Sequence, residues 1–314
     1  MSESKSNAWF TRAAYAALAY TVFVIVFGAW VRISGSGAGC GQHWPTCHGE
    51  IIHLPQTIET VIELTHRVTS GLCMLGALGL LIWGLIKFRR PHPVRWALVL
   101  AMVFMILEAL LGAGLVLLEL VGNNDSVSRA VVMAIHLSNT CLLTGAMAVV
   151  AWTSDDRRAR LRGGGLSCWL LVGALVLVIA VSMSGAVTAL GDTLYPVAAD
   201  GSIAEHLAAD QSVTAHFLQR MRMIHPLMAV AAGLYLLWLA IALPGMPARH
   251  DVRKLGNVVA GLVVAQLCAG VVNIMLSAPS WMQLLHLTLA TCLWIALVLL
   301  TLHASEIEFN QRSP

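Results

Sequence analysis

Ser167-Cys168-Trp169-Leu170-Leu171-Val172-Gly173-Ala174-Leu175-Val176-Leu177-Val178-Ile179-Ala180-Val181-Ser182-Met183-Ser184-Gly185-Ala186-Val187-Thr188-Ala189 contains no charged side chain. A helix of about 20 such residues crosses the roughly 30 Å hydrocarbon core of a bilayer. Backbone amides and carbonyls cannot face lipid unsatisfied, so the stretch must be helical. Working outward, similar runs lie near 13–33, 60–86, 94–118, 131–152, 220–243, 255–276 and 281–302. The fold expected is an all-α integral membrane protein of eight transmembrane helices. Composition agrees: 58% of the 314 residues are hydrophobic and 11% charged, against roughly 25% charged in a soluble domain. That balance excludes a nucleic-acid-binding role. Span one is kept as an anchor, because no small-residue cleavage site of the usual kind follows it.

Placement of charge gives the topology. Of the 19 basic residues, 14 fall on one side: Lys5, Arg12, Lys87, Arg89, Arg90, Arg95, Arg157, Arg158, Arg160, Arg162, Arg249, Arg253, Lys254 and Arg312. The positive-inside rule makes that side cytoplasmic and puts both termini there. Arg32, Arg67, Arg129, Arg220 and Arg222 then sit near outer helix ends. The outer loops are 34–59, 119–130, 190–219 and a short one around 277–280.

Two halves echo one another. Glu108 precedes Gly112 by four, and Gln266 precedes Gly270 by four; Gly28-Ala29 has a counterpart in Gly185-Ala186. The expectation is two pseudo-symmetric four-helix bundles, 1–154 and 163–314, related by an axis along the membrane normal.

Of 12 histidines, His66, His136, His225 and His286 lie inside spans near their outer ends, one on each even-numbered helix. Each falls about five to seven residues into its helix, a depth of roughly 8–10 Å. One such histidine is ordinarily a hydrogen-bonded helix contact; four at one level point to function, since ionisable groups in a bilayer are costly. Paired imidazoles suit heme iron better than structural zinc, which wants four close ligands. Two heme sites follow, one per half. Arg67, Arg220 and Arg222 are candidates for pairing with heme propionates, although the same residues could end helices or meet lipid headgroups.

Glu63 shares a helix face with His66. It is a candidate proton-transfer group, or else a buried acid paired with an arginine such as Arg67. Cys40 and Cys47, the two cysteines outside the spans, face an oxidising compartment and are expected to form a disulfide, either a loop staple or a redox pair. Cys73, Cys141, Cys168, Cys268 and Cys292 read as small packing residues.

Ile62-Glu63-Leu64-Thr65-His66-Arg67, the Cys40-to-Cys47 loop with Trp44-Pro45, and Leu285-His286-Leu287 followed by Trp294 resemble the heme A synthase family, in the form carrying a cysteine pair before span two. The resemblance implies an enzyme, a membrane oxidoreductase that oxidises a ring methyl of heme O to the formyl group of heme A for terminal oxidase assembly. It implies a permanent heme b held by His225 and His286, and a substrate heme received by His66 and His136. Glu63 is then catalytic, and Cys40 and Cys47 take part in or support electron transfer. It further implies a bacterial cytoplasmic membrane location with the active face outward. The partners it implies are heme O synthase, cytochrome oxidase assembly factors and a membrane electron acceptor; a homo-oligomer is compatible with it. The chain departs from the pattern in three places. The loop 190–219 has no second cysteine pair, Pro226 follows His225 where Arg67 follows His66, and His43 stands where an acid is expected. Two other readings stay open: a di-heme electron-transfer cytochrome that modifies neither heme, and a proton-coupled transporter.

Overall fold

The apolar runs become eight long helices among the described residues of the computed structural model, which are 3–154, 166–196, 205, 208, 210–242 and 250–311. They are α1 (Glu3–Ile33), α2 (Ile58–Lys87), α3 (Pro93–Leu117), α4 (Val127–Thr153), α5 (Leu166–Leu194), α6 (Phe217–Ala242), α7 (His250–Met275) and α8 (Ser280–Gln311). All eight are long and apolar enough to cross a membrane, so the chain is an all-α, multi-pass membrane protein. Most of the helices outrun the expected spans, because a span read from hydropathy stops where apolar character stops. Polar caps carry the helices further. Thr57 and Ser126 accept the amides of Thr60 and Arg129 at the starts of α2 and α4, satisfying donors that a first helical turn leaves open. His92 does the same for Val94 at α3, with Pro93 in the first turn. Arg157, Arg158, Arg160, Arg162, Arg249 and Arg312 lie outside the described residues.

Helix contacts close into two rings. In the first, α1 packs on α2, α2 on α3, α3 on α4 and α4 back on α1; in the second, α5 packs on α6, α6 on α7, α7 on α8 and α8 back on α5. The rings meet where α4 touches α5 and α8, and where α1 touches α8. Exchanging the halves maps the α4–α5 contact onto the α8–α1 contact. Half of α4's most apolar window is buried, the largest share among the eight helices, as befits the helix that walls both rings.

Apolar cores fill the rings below the histidine level. Leu18, Cys73, Ala77, Met105, Leu143 and Met147 pack together in the first ring. Leu171, Leu236, Val259, Val263, Leu293 and Leu297 do so in the second. Outward-facing Ile86, Leu227 and Ile241 are largely exposed, an arrangement suited to lipid, where helices associate by close packing and not by escape from water. The seam between rings uses small residues and polar ties. The Trp294 indole of α8 donates to the Cys141 carbonyl of α4 at 2.6 Å and lies against Gly145, where a Cβ would stand 3.4 Å from its Nε1.

Pro226 lies well inside α6, which starts earlier than its hydropathy suggested. The helix continues through it, and the Thr188 hydroxyl donates to the Met221 carbonyl at 3.3 Å.

Candidate functional site

Each of the four histidines lies against a glycine of the preceding helix. A Cβ at Gly28 would stand 3.1 Å from His66 Cε1, and one at Gly185 would stand 2.9 Å from His225 Cε1. At Gly270 the distance to His286 Cε1 would be 3.4 Å, and at Gly112 the distance to His136 Cε1 would be 3.8 Å. The sequence echoes therefore have a physical cause: the helix crossings are close because the rings occupy the space a side chain would take. Within each half the two imidazoles lie in electrostatic reach of one another, His66 with His136 and His225 with His286. Phe27 meets His66 edge-on, with ring centroids 5.5 Å apart.

Three rings are oriented by a polar neighbour. Glu108 Oε1 of α3 is 3.1 Å from His136 Nε2, Gln266 Nε2 of α7 is 3.1 Å from His286 Nε2, and Ser184 Oγ of α5 is 2.9 Å from His225 Nδ1. Among the described residues, Nδ1 of His66, His136 and His286 is buried without a hydrogen-bond partner. A buried polar atom left this way costs free energy unless something binds it. An imidazole with one nitrogen fixed by a neighbour and the other left over is the usual state of a metal-ligating histidine. These features fit a heme iron in each half. Among the described residues, the one other cluster of metal-type groups, Cys47, His48 and His53, lies in the outer loop, and its cysteine is spent in a disulfide.

Glu63 is buried one turn from His66 and has both oxygens engaged. Oε2 accepts the Cys40 amide at 2.8 Å; Oε1 accepts from Arg67 Nε at 3.1 Å and from the Arg67 Nη2 group. Arg67 in turn donates to the carbonyls of His43 at 2.6 Å and Thr46 at 2.5 Å. Cys40 and Cys47 are joined as a disulfide and are fully buried. The loop is clamped on α2 at Gly39, where a Cβ would fall 2.5 Å from the Glu59 carbonyl; the Thr60 hydroxyl donates to the Gly39 carbonyl there at 2.6 Å.

The arginines behave differently from one another. Arg67 serves the disulfide loop. Arg222 pairs with Asp192 at 3.0 Å and Asp210 at 3.3 Å. Arg220 is exposed and donates to the Val213 carbonyl at 2.9 Å. Arg32, read only as the outer end of span one, crosses between the rings. It donates to the Ala189 carbonyl of α5 at 2.5 Å, to the Thr193 hydroxyl, and to Gln283 Oε1 of α8 at 3.1 Å.

Sequence reasoning missed what Glu108 does, taking it only as a repeat marker. Its carboxylate also meets Asn139 Nδ2 and Thr140 Oγ1, each at 2.5 Å. The available signal was the polar pair Asn139-Thr140, three and four residues after His136 in a largely apolar span.

The chain matches the cytochrome oxidase assembly protein family over residues 11–60 and 55–298. It belongs to that family. Heme A synthases are among the relatives of this family member. One, from Exiguobacterium sibiricum, is 25% identical over 287 residues, covering 90% of this chain and 91% of the relative. A stretch of 115 residues, 37% of this chain and 35% of the relative, is 39% identical to heme A synthase of Bacillus licheniformis. A protoheme IX farnesyltransferase of Thermus thermophilus is 46% identical over 306 residues, which is 96% of this chain and 50% of the relative. The chain thus spans about half the length of the Thermus relative.

Proposed function

We propose that this member of the cytochrome oxidase assembly family is a heme A synthase, oxidising a ring methyl of heme O to the formyl group of heme A at the outer side of a bacterial cytoplasmic membrane. The observation that carries the reading is the set of four glycine-backed histidines in two pairs, one pair beside a buried acid. The contact pattern and the glycine echoes support two halves related by duplication, and the basic residues support cytoplasmic termini. The longer Thermus relative weighs little against this. Its name covers a protein twice the matched length, whereas the match to the Exiguobacterium enzyme covers nine tenths of both chains. Farnesylation of protoheme makes heme O, so the proposed partners include an enzyme of that type, along with oxidase assembly factors and a membrane electron acceptor.

In this proposal His225 and His286 hold heme b, and His66 and His136 receive heme O. Heme b, when bound, supplies one-electron redox chemistry. Ser184 and Gln266 fix the rings of the first pair, and Glu108 fixes His136 in the second. Glu63, one helical turn from His66, is the proton-transfer group, its oxygens oriented by the Cys40 amide and Arg67. Arg67 and the Cys40 amide keep it from turning away, and the disulfide holds that amide in place. Arg220, exposed and meeting only carbonyls among the described residues, is the best placed of the three arginines for a propionate.

The test is conversion. Purified protein given heme O, an electron acceptor and oxygen should yield heme A by pigment extraction. Recovery of heme b with unaltered heme O would favour the di-heme cytochrome, and farnesylated protoheme made from protoheme and farnesyl diphosphate would favour transferase activity. Glu63→Gln should keep heme binding and lose about 10²- to 10⁴-fold in turnover; unchanged turnover would remove its role.

A further inference from the structure

His136 and His286 lie in corresponding seats of the two halves, and the group behind each ring differs. In α7 the group at hydrogen-bond distance from His286 is the amide of Gln266; in α3 the group at the same place beside His136 is the carboxylate of Glu108. The surroundings change in step. Asn139 and Thr140, three and four residues after His136, each bring a donor to 2.5 Å of Glu108. The residues three and four after His286 are Leu289 and Ala290, which have no polar side-chain atom. Asn139 Nδ2 is anchored besides at 2.9 Å from the Phe104 carbonyl. The first ring is therefore equipped to hold an anion against its histidine, and the second is equipped to hold a neutral group.

We infer that Glu108 is a positioning residue that gives the heme site of the first half an anionic partner behind His136, setting that heme to a lower reduction potential than the heme of the second half. A carboxylate bonded to a ligating imidazole makes the ring a stronger electron donor to iron and favours the oxidised metal, whereas an amide at the same distance does so far less. The difference suits the division of labour proposed above, on which this inference rests: a site where a pigment is oxidised beside a site where one is kept.

The experiment is a potentiometric titration of the full-length, detergent-solubilised protein loaded with protoheme IX at both sites, followed optically. Wild-type protein should titrate in two components. Glu108→Gln should move the lower component upward and leave the other in place. The converse chain, carrying Gln266→Glu with Leu289→Asn and Ala290→Thr, should move the higher component downward, and it decides the matter if the first variant does not fold. Two bound hemes whose midpoints stay unmoved in these variants would overturn the role of Glu108 and leave the heme reading standing. Wild-type protein that binds heme at neither histidine pair would overturn the heme reading, and this inference with it.

Discussion

The ring formed by α1–α4 and the ring formed by α5–α8 share a contact pattern, and they differ at the level of the histidines. Below that level both are packed with leucine, valine and alanine. At the histidine level they diverge. Glu63 precedes His66 by three residues where Arg222 precedes His225 by three; Arg67 follows where Pro226 follows; Glu108 stands where Gln266 stands. Glu63 and Arg67 turn toward a disulfide-closed loop, while Arg222 is absorbed by Asp192 and Asp210. On the reading proposed above, the scaffold sets the level of the histidines, and the side chains one turn away distinguish the two pairs.

The comparison breaks most completely at the ligands. His225→Ala or His286→Ala is expected to abolish the permanent heme spectrum while His66→Ala leaves it, as read from reduced-minus-oxidised spectra of purified protein. Full heme content in either of the first two would dissolve the assignment of halves. A graded test comes next, from the glycines. Gly185→Ala places a Cβ 2.9 Å from the His225 ring and should cost most of the bound heme; Gly28→Ala (3.1 Å) and Gly270→Ala (3.4 Å) should cost progressively less, and Gly112→Ala (3.8 Å) should be nearly silent. Heme content per protein measures the order. A reversed order would mean that the rings do not fill the glycine spaces.

Smaller effects sharpen the contrast at the outer surface. Removing the disulfide by Cys40→Ser with Cys47→Ser reopens a short loop, worth about 2.5 kcal/mol on the chain-entropy account. A lower Tm with turnover retained marks a staple; lost turnover at unchanged Tm marks a redox pair. The least effect is expected at Asp125, where the Tyr195 hydroxyl, 2.5 Å away, holds the carboxyl below its ordinary range, with His216 adding to the shift. A depressed folded-state pKa contributes stability above the unfolded value, near about 4, and loses it as pH falls through the folded one. Tyr195→Phe should therefore lower Tm slightly at neutral pH and leave it unchanged in strong acid, flattening the Tm-against-pH curve between the two.

Much of this was legible in the chain. Eight runs and four histidines follow from hydropathy and spacing, because lipid leaves a backbone few choices. The glycine echoes were visible, but not their reason, since a missing side chain does not name the ring that fills its place. The arginines were less legible. Arg67 and Arg222 were candidates for a heme edge, yet in the structure one holds loop carbonyls and the other two aspartates. Both partner sets come from segments distant in sequence, and a long guanidinium reaches whichever lies nearest. Arg32 reaches the other half altogether, across more than 150 positions, and hydropathy carries no trace of such a tie. Glu108 was seen as a pattern and missed as chemistry, because its donors sit on the next helix.

The Arg32 crossing bears on how far the halves can be treated as interchangeable parts. Its guanidinium belongs to α1, but among the described residues its hydrogen-bond acceptors are on α5 and α8. A protein severed between α4 and α5 would leave that cation without these acceptors on one fragment and the three acceptors bare on the other. Co-expressed fragments should accordingly seek each other out, and a transplanted half would need its own matching seam before it could settle beside a foreign neighbour.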